Sequence, residues 1–432
     1  MSSPEKLSIQ MFDVGFGDCF LLTFHYSTTK KHLLIDFGTT RQSKDYMKAV
    51  AREIANRCSG KLDAVVATHR HRDHLSGFQT DQSGESSGEI IAGLKPSLVS
   101  MTWTEDPELE SDATGPIDAN EDEHRLFVRS LASMQRIAER AKLAAKQAKK
   151  KKRYSISSEL EDLAEINISN KSALVNLLNM HQPDGEIEFL HYGKHSKLNQ
   201  VFRGVKFHVL GPPTVDQSKQ VKRQRAKDKD EYWHLANYWR LIEKSLASES
   251  TSSPFSKKYR KSVPSSAKWL VDKMKDPSAA ELLRITRVMD RAINNSSIIL
   301  LIELHGTKLL FPGDAQIESW EYVLNGPESQ RNRELLADCY VYKVGHHGSL
   351  NGTPKSLWNL LDRRRDVGGS GDLTCLLSSR IGVHGKAQNG TEVPRNKLVQ
   401  AIKAGSDLLT TDYGSKTKLT DSEPYVLEID FV

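Results

Sequence analysis

The sequence predicts an α/β fold: a β-rich core of αββα layering, interrupted by two helical, charged insertions. Three observations carry this expectation. Short apolar runs rich in β-branched and aromatic residues recur at the start, middle and end of the chain, bounded by Gly, Pro or polar turns. Two long charged stretches of helical composition lie between them. Titratable residues sit at the tips of several apolar runs, the rim where α/β layers place ligand sites. The expected segments are 1–103 for the first part of the core, 104–186 for a basic helical insertion, 187–213 for further core strands, 214–290 for a second helical insertion and 291–432 for the rest of the core.

Taken in order, LSIQMF, CFLLTF and HLLIDF read as strands within 7–38. The turn DVGFGDC carries Gly15, Gly17 and Asp18, but no GK[ST] follows, which excludes a P-loop. Residues 44–58 show helical periodicity, with Met47, Val50, Ile54 and Ala55 on one face. LDAVVAT (62–68) and PSLVSMTW (96–103) read as strands. Residues 104–125 are acidic and loop-like, and 125–180 mostly helical. IEFLHYG (187–193) and VKFHVLGPP (205–213) return to strand texture. Within 214–290, Trp233, Leu235, Tyr238, Trp239 and Ile242 recur at helical spacing. Such a stripe is more often core or a partner-helix face than a base-stacking platform. The Ser-rich ASESTSSPFS (247–256) reads as a loop.

SSIILLIEL (296–304) and TKLLFPGD (307–314) predict a hairpin about His305-Gly306, followed by a helix over 316–325. CYVYKVGHHGS (339–349) and LTCLLSS (373–379) read as strands, 394–405 as a helix, and YVLEIDFV as a closing strand. No repeat of solenoid period is present.

With 432 residues, the chain is long enough for two units or one decorated domain. No stretch of about 18 apolar residues occurs, so no membrane span is expected. The first residues lack a basic region followed by an apolar run, so no signal peptide is expected either. Cys19, Cys58, Cys339 and Cys375 are scattered without CxxC spacing. That argues against cysteine-ligated zinc and for a reducing, cytoplasmic compartment. Net charge is +6, unevenly spread. Residues 135–153 hold nine Lys/Arg against one Glu and end in Lys149, Lys150, Lys151, Lys152 and Arg153; a second basic run is KQVKRQRAK (219–227). The ordinary use of such a run is a solvated helix face; the sharper one is contact with a phosphate backbone.

The most constrained stretch is THRHRDHLSGF (68–78), which holds His69, His71, Asp73 and His74 in six positions. His69 and His71 alternate by two and share a side of an extended segment, while Asp73 and His74 follow in the turn. Imidazole and carboxylate without thiolate suit zinc, manganese or iron. One such cluster cannot saturate two metals, so further ligands must come from other strand tips. Asp314 in FPGDA and His346 and His347 in VGHHGS are metal-competent residues at such tips. A lone HxH is often a surface pair and a lone strand-tip Asp often a cap; the combination is far harder to explain that way.

THRHRDHLSG resembles the HxHxDH signature of the metallo-β-lactamase fold superfamily. FDVGFGDCFLL, LLIDFG, LLFPGDA, VYKVGHHGSLNGTP and AIKAGSDLLTTDYG together resemble the soluble hydrolase domain of competence-type DNA-internalisation proteins. The resemblance covers 1–103, 187–213 and 296–432, and leaves both insertions without a counterpart. It implies two divalent metals, Zn²⁺ or Mn²⁺. His69 and His71 would hold metal 1, and Asp73 and His74 metal 2. Asp314 would bridge them, His346 would complete metal 2, and His347 would stand near a substrate phosphate. Asp36 would orient a ligating histidine by accepting its other N–H.

Two departures stand out. Many superfamily members carry a further metal 1 histidine where this chain has Asn294-Asn295, which implies a weaker or more open metal 1 site. Val393 stands where the competence-type domains usually have histidine before a proline, and His384 is the nearby candidate to replace it.

Two metals about 3.5–4 Å apart lower the pKa of a shared water and make hydroxide the nucleophile, with Asp73 and His347 as the expected catalytic side chains. The first functional expectation is therefore a metal-dependent nuclease or phosphodiesterase that binds DNA or another nucleic acid, in nucleic-acid processing or defence against foreign DNA. A small-molecule hydrolase acting on a lactone or cyclic nucleotide is the alternative on the same chemistry. A partner-regulated effector, with the insertions as protein-docking modules, is the alternative from another class.

Overall fold

The computed structural model describes residues 3–81, 83–107, 171–214, 217–218, 293–385, 392–412 and 426–431. The basic runs 135–153 and 219–227, the Lys149–Arg153 cluster, the aromatic stripe from Trp233 to Ile242 and the Ser-rich 247–256 lie outside the described residues.

Strand β1 (Lys6–Phe12) sends alternate residues Leu7, Ile9 and Met11 to one face, as a period of two requires. Its neighbours β2 (Cys19–His25) and β3 (Lys30–Phe37) repeat the pattern with Phe20, Leu22, Phe24, Leu33 and Ile35. These three strands run antiparallel, whereas β3, β4 (Ala64–Ala67), β5 (Leu98–Thr102) and β6 (Glu186–Leu190) are joined in parallel. Parallel neighbours need crossovers, and helix α1 (Lys44–Arg57) supplies the one from β3 to β4. Ser43 caps its start by accepting from the Tyr46 N–H. Its buried face is Tyr46, Met47, Val50, Ala51 and Ile54; the predicted Ala55 sits at the edge, half-buried. The last described strand, β13 (Val426–Phe431), pairs with β1, so the sheet order is β13-β1-β2-β3-β4-β5-β6.

The second sheet runs β12-β11-β10-β9-β8-β7, built from β7 (Lys206–Gly211), β8 (Ile299–Leu304), β9 (Thr307–Phe311), β10 (Cys339–Lys343), β11 (Thr374–Leu377) and β12 (Asp407–Thr410). β8 and β9 form the predicted hairpin, with Leu304 opposite Thr307 and both His305 and Gly306 at positive φ. The fold is thus mixed α/β with two sheets. One core joins them: Leu7, Phe20, Leu33 and Val66 from the first meet Phe207, Leu300, Leu309, Phe311 and Val341 from the second. Each fully buried Leu or Phe contributes about 1.5–3 kcal/mol. The helices Ile317–Asn325 and Asn396–Gly405 place Trp320, Val323 and Ile402 in a second cluster with Leu301, Leu310 and Tyr342 on the other face of the second sheet.

Three segments, Met1–Glu105, Asn170–Pro213 and Ile293–Val432, make one unit; Asp106–Ser169 and Thr214–Ala292 make a second. The helix Lys171–Asn179, read from sequence as the end of the first insertion, belongs to the first unit, where Asn176 donates to the carbonyls of Phe78 and Gly88. Helical texture runs without a break across 125–180, so periodicity has nothing there to mark the boundary. The helices Ser87–Ala92 and Ser329–Ala337 and the strand Asp407–Thr410 were not predicted; the first and last are too short for a window of periodicity to reveal, and Ser329–Ala337 buries only Asn332 and Leu336, too few apolar positions to show a stripe. All four cysteines are buried and unpaired. Among the described residues, no helix is long and apolar enough to cross a membrane.

Candidate metal centre

Five strands end at one rim. β3 carries Asp36 next to its last residue, β4 runs into Thr68–His74, β9 into Gly313–Asp314, β10 into His346–His347, and β11 into Ser378. After β4 the chain stays extended through His71 and then makes a single helical turn, Arg72–Leu75, which swings Asp73 and His74 inward. Two glycines permit this packing. A Cβ on Gly38 would lie 2.4 Å from the His74 nitrogen, and one on Gly17 would lie 2.2 Å from the Gly38 carbonyl oxygen. The DVGFGDC turn therefore fits under the histidine loop, and the Asp18 N–H donates to the Asp73 carbonyl at 2.9 Å.

Asp36, at φ +55, accepts three hydrogen bonds at 2.7 Å: from the Thr68 N–H, the Thr68 hydroxyl and His74 Nδ1. His74 then presents Nε2 to Asp314 Oδ2 at 3.2 Å. His347 donates Nδ1–H to the Ser378 carbonyl at 3.0 Å and turns Nε2 to Asp73 Oδ2 at 3.1 Å and Asp314 Oδ2 at 3.6 Å. One ligand atom from each of Asp73, His74, Asp314 and His347 falls within 4.8 Å of the others, and all four residues are buried.

The electrostatics match this closeness. Burial opposes charge on Asp314, but the neighbouring His74, His347 and His346 outweigh it and hold its carboxyl well below the usual range. Burial likewise opposes ionisation of Asp73, and the hydrogen bond from His347 with the charges of His74 and His347 overcomes it. Conversely, Asp314 and Asp36 raise His74 far above an ordinary imidazole, and Asp314 and Asp18 raise His347, in both cases against burial. The carboxylate oxygens Asp73 Oδ1 and Asp314 Oδ1 are buried and accept no hydrogen bond. Buried oxygens left so are costly. A donor set of two carboxylates and two imidazoles, with lone pairs to spare, fits a divalent cation such as zinc or manganese.

The other predicted residues fall differently. His69 and His71 bond to each other, Nε2 to Nδ1 at 3.1 Å. The Thr68 hydroxyl proton goes to Asp36, so His69 Nδ1 donates to Thr68 Oγ1 at 3.1 Å, and neutral His69 accepts from His71 Nδ1–H. Burial, with the His74 and His71 charges, keeps His69 well below its usual pKa, and burial takes His71 down to about 4. Arg70, between them, points the other way into a buried ion pair with Glu105 at 2.7 Å.

Of the pair His346 and His347, it is His347 that lies within the four-residue group. Both adopt left-handed backbone, φ +47 and +49, and their ring centroids lie 6.4 Å apart. His347 enters the cluster fully buried. His346 keeps 25% of its side chain exposed, bonds Ser349 Oγ at 2.9 Å and stays 3.9 Å from Asp314.

Asn295 faces away from the centre. It donates to Glu318 and accepts from the Gln316 N–H and the Ser319 hydroxyl, at the start of helix Ile317–Asn325. Asn294 is buried. His384 pairs through its backbone with Val393, and its ring packs on Phe16 at 4.2 Å, which in turn packs on His347 at 4.5 Å. It adjoins the cluster through Phe16 and does not enter it; burial lowers it to about 4.

Asp18 and Lys343 were not singled out from the sequence as site residues. Lys343 is fully buried, ion-paired with Asp18, and donates to the Gly313 carbonyl at 3.3 Å. Burial works to neutralise it, but Asp18 and Asp314 keep it an ammonium. A lysine inside the apolar strand CYVYKV was the available signal. In a second ligand-type group, Asp18, Asp36 and His74, Asp18 pairs with the Lys343 cation and Asp36 accepts from the Thr68 N–H and hydroxyl. No protein-family model matches this chain, and no curated protein sequence matches it.

Proposed function

We propose that this chain is a metal-dependent hydrolase of the metallo-β-lactamase fold, with a nuclease or phosphodiesterase activity on nucleic-acid phosphodiesters. One observation carries the reading: four buried ligand-type atoms, from Asp73, His74, Asp314 and His347, within 4.8 Å of one another. The order of two sheets and outer helices, the strand-tip placement of these residues and the HxHxDH pattern support it. Asp73, His74, Asp314 and His347 would hold the ion. Bound there, a divalent cation neutralises charge on a phosphoryl oxygen and makes water acidic enough to attack at neutral pH.

The chain's own groups do the rest. Asp36 fixes the His74 ring and its tautomer through Nδ1. Asp73 Oδ1, free of hydrogen bonds, is available to orient the attacking water and accept its proton. His346, part-exposed and steadied by Ser349, is placed to donate to the leaving oxygen. The basic run ending in Lys149–Arg153 supports a nucleic-acid substrate by its charge.

The test is metal analysis of protein purified without chelators, run with DNA, RNA, a lactone and bis-p-nitrophenyl phosphate as substrates. Bound zinc or manganese and phosphodiester cleavage lost in D73A are expected. Protein without metal, or cleavage undiminished in D73A, overturns the reading; lactone turnover alone replaces the substrate class.

A further inference from the structure

A histidine outside the four-residue group is built into the same rim. His384 lies in the loop that follows β11, and hydrogen bonds of the backbone fasten that loop to the end of β10. The Val393 N–H donates to the His384 carbonyl at 3.0 Å, which pairs the two residues in a short antiparallel bridge. Further along, the Arg395 N–H donates to the Gly348 carbonyl at 2.9 Å, directly after His347. Pro394 closes the space between them: a Cβ on Gly348 would lie 2.7 Å from the Pro394 Cβ. The backbone that carries His384 is thus tied to the backbone that carries His347.

The side chain is placed as firmly. Phe16 is buried, and its carbonyl accepts from the Thr40 N–H at 2.9 Å. Its ring stands between two imidazoles, 4.2 Å from His384 and 4.5 Å from His347. His384 is therefore one ring away from the ligand-type group. Asp73, His347, His346 and the exposed Arg41 are all near enough to act on it electrostatically. Its Nε2 is buried, and among the described residues nothing hydrogen-bonds to it. A ring nitrogen buried without a partner is costly. If packing on Phe16 were the whole task, an apolar side chain would serve without that cost. An oxygen that arrives with a ligand would satisfy the nitrogen, and Arg41 and His346 nearby suit an anionic one.

We propose that His384 is a substrate-binding residue, whose Nε2–H donates to a non-bridging oxygen of the phosphoryl group taken by the neighbouring centre. The inference rests on the phosphodiesterase reading above and adds to it a contact from outside the ligand set. His384 touches the substrate and not the ion. Its loss therefore costs affinity for phosphate and leaves the ion in place.

The probe is inorganic phosphate, whose binding requires no turnover. The full chain is loaded with Mn²⁺, desalted, its ions counted by mass spectrometry, and titrated with phosphate by calorimetry. H384F keeps a ring against Phe16 and removes the donor; H384Q restores a neutral N–H donor. The ion count is expected to be the same in the wild type and both variants. Phosphate affinity is expected to fall by about 10–100-fold in H384F, the range for a hydrogen bond to a charged group, and to be largely recovered in H384Q. H384A makes the same comparison where H384F does not fold. Unchanged phosphate affinity without the donor overturns the proposal, and so does loss of the ion, which would make His384 a ligand. A folded H384Q as weak as H384F overturns the hydrogen bond. A wild type that holds the ion and binds no phosphate sinks this proposal and leaves the metal centre standing; a wild type without the ion sinks the metal-binding reading itself.

Discussion

His69 and His71 share six positions with Asp73 and His74, yet the two halves of that stretch end in different chemistry. In the first half His69 bonds His71 and Thr68, and both imidazoles are held neutral by burial. The second half is open: Asp73 and His74 meet Asp314 and His347, whose charges pull one another to opposite protonation states. Ligand-type residues close in sequence therefore do not all fall into one group. What separates them is how closely Asp314 approaches: it lies 3.2 Å from His74 and also acts on His69 and His71, but without joining them in the four-residue group.

The comparison can be broken most decisively at its charged half. H74A and D314A are expected to weaken metal binding by more than about 100-fold, beyond the range for losing a partner outside the ligand set, while H69A stays near its lower, about tenfold end. Equal losses in calorimetric titrations of all three would erase the distinction. The histidine pair on β10 gives the next effect. H347A is expected to lose the ion, whereas H346A keeps it and lowers kcat; metal counts and kinetics on the same preparations separate the two, and the reverse result would restore the roles expected from sequence.

A smaller change is expected at Asp36. An amide there cannot offer a charged acceptor to His74 Nδ1–H and two Thr68 donors at once, so D36N should cost about 10–100-fold in metal affinity, as loss of such an outer partner does. Affinity unchanged in D36N would mean that the His74 ring is held by packing alone.

The smallest effect on the centre is expected from His32, which tests burial without ligand chemistry. Its ring is bonded to Thr23 Oγ1 at 3.1 Å, and burial, with the Lys30 and His25 charges, lowers it from 6.5 to about 4. The unfolded chain takes up a proton near pH 6.5 that the folded chain refuses until about pH 4. Stability is therefore lost as pH falls through that window, by up to about 3 kcal/mol. Thermal unfolding between pH 7 and 4 should show a shallower decline in H32Q with metal affinity unaltered; an equally steep decline would assign the loss to other groups.

Much of this architecture was legible because its signals are local. The alternation in LSIQMF, CFLLTF and SSIILLIEL announced strands whose inward residues fill the core between the sheets. The residues 68–78 and FPGDA stood out because titratable side chains follow apolar strands, and Asp73, His74 and Asp314 do meet in the structure. The helix Lys171–Asn179 groups with the first unit, a placement the sequence did not mark because periodicity describes an element and not its neighbours.

By itself, then, the sequence determined most of the strands and which strand tips carry imidazole and carboxylate. Periods of 2 and 3.6 residues and donor type are properties of short windows. Only the tertiary structure decided that His347 turns inward and His346 outward, since consecutive left-handed residues leave that choice to packing. Only it brought Lys343 onto Asp18, residues from opposite sheets whose meeting depends on how the sheets stack. The pairing of Asp73 and His74 with Asp314 is of the same kind. Strand order and register set it, and no local window contains both partners.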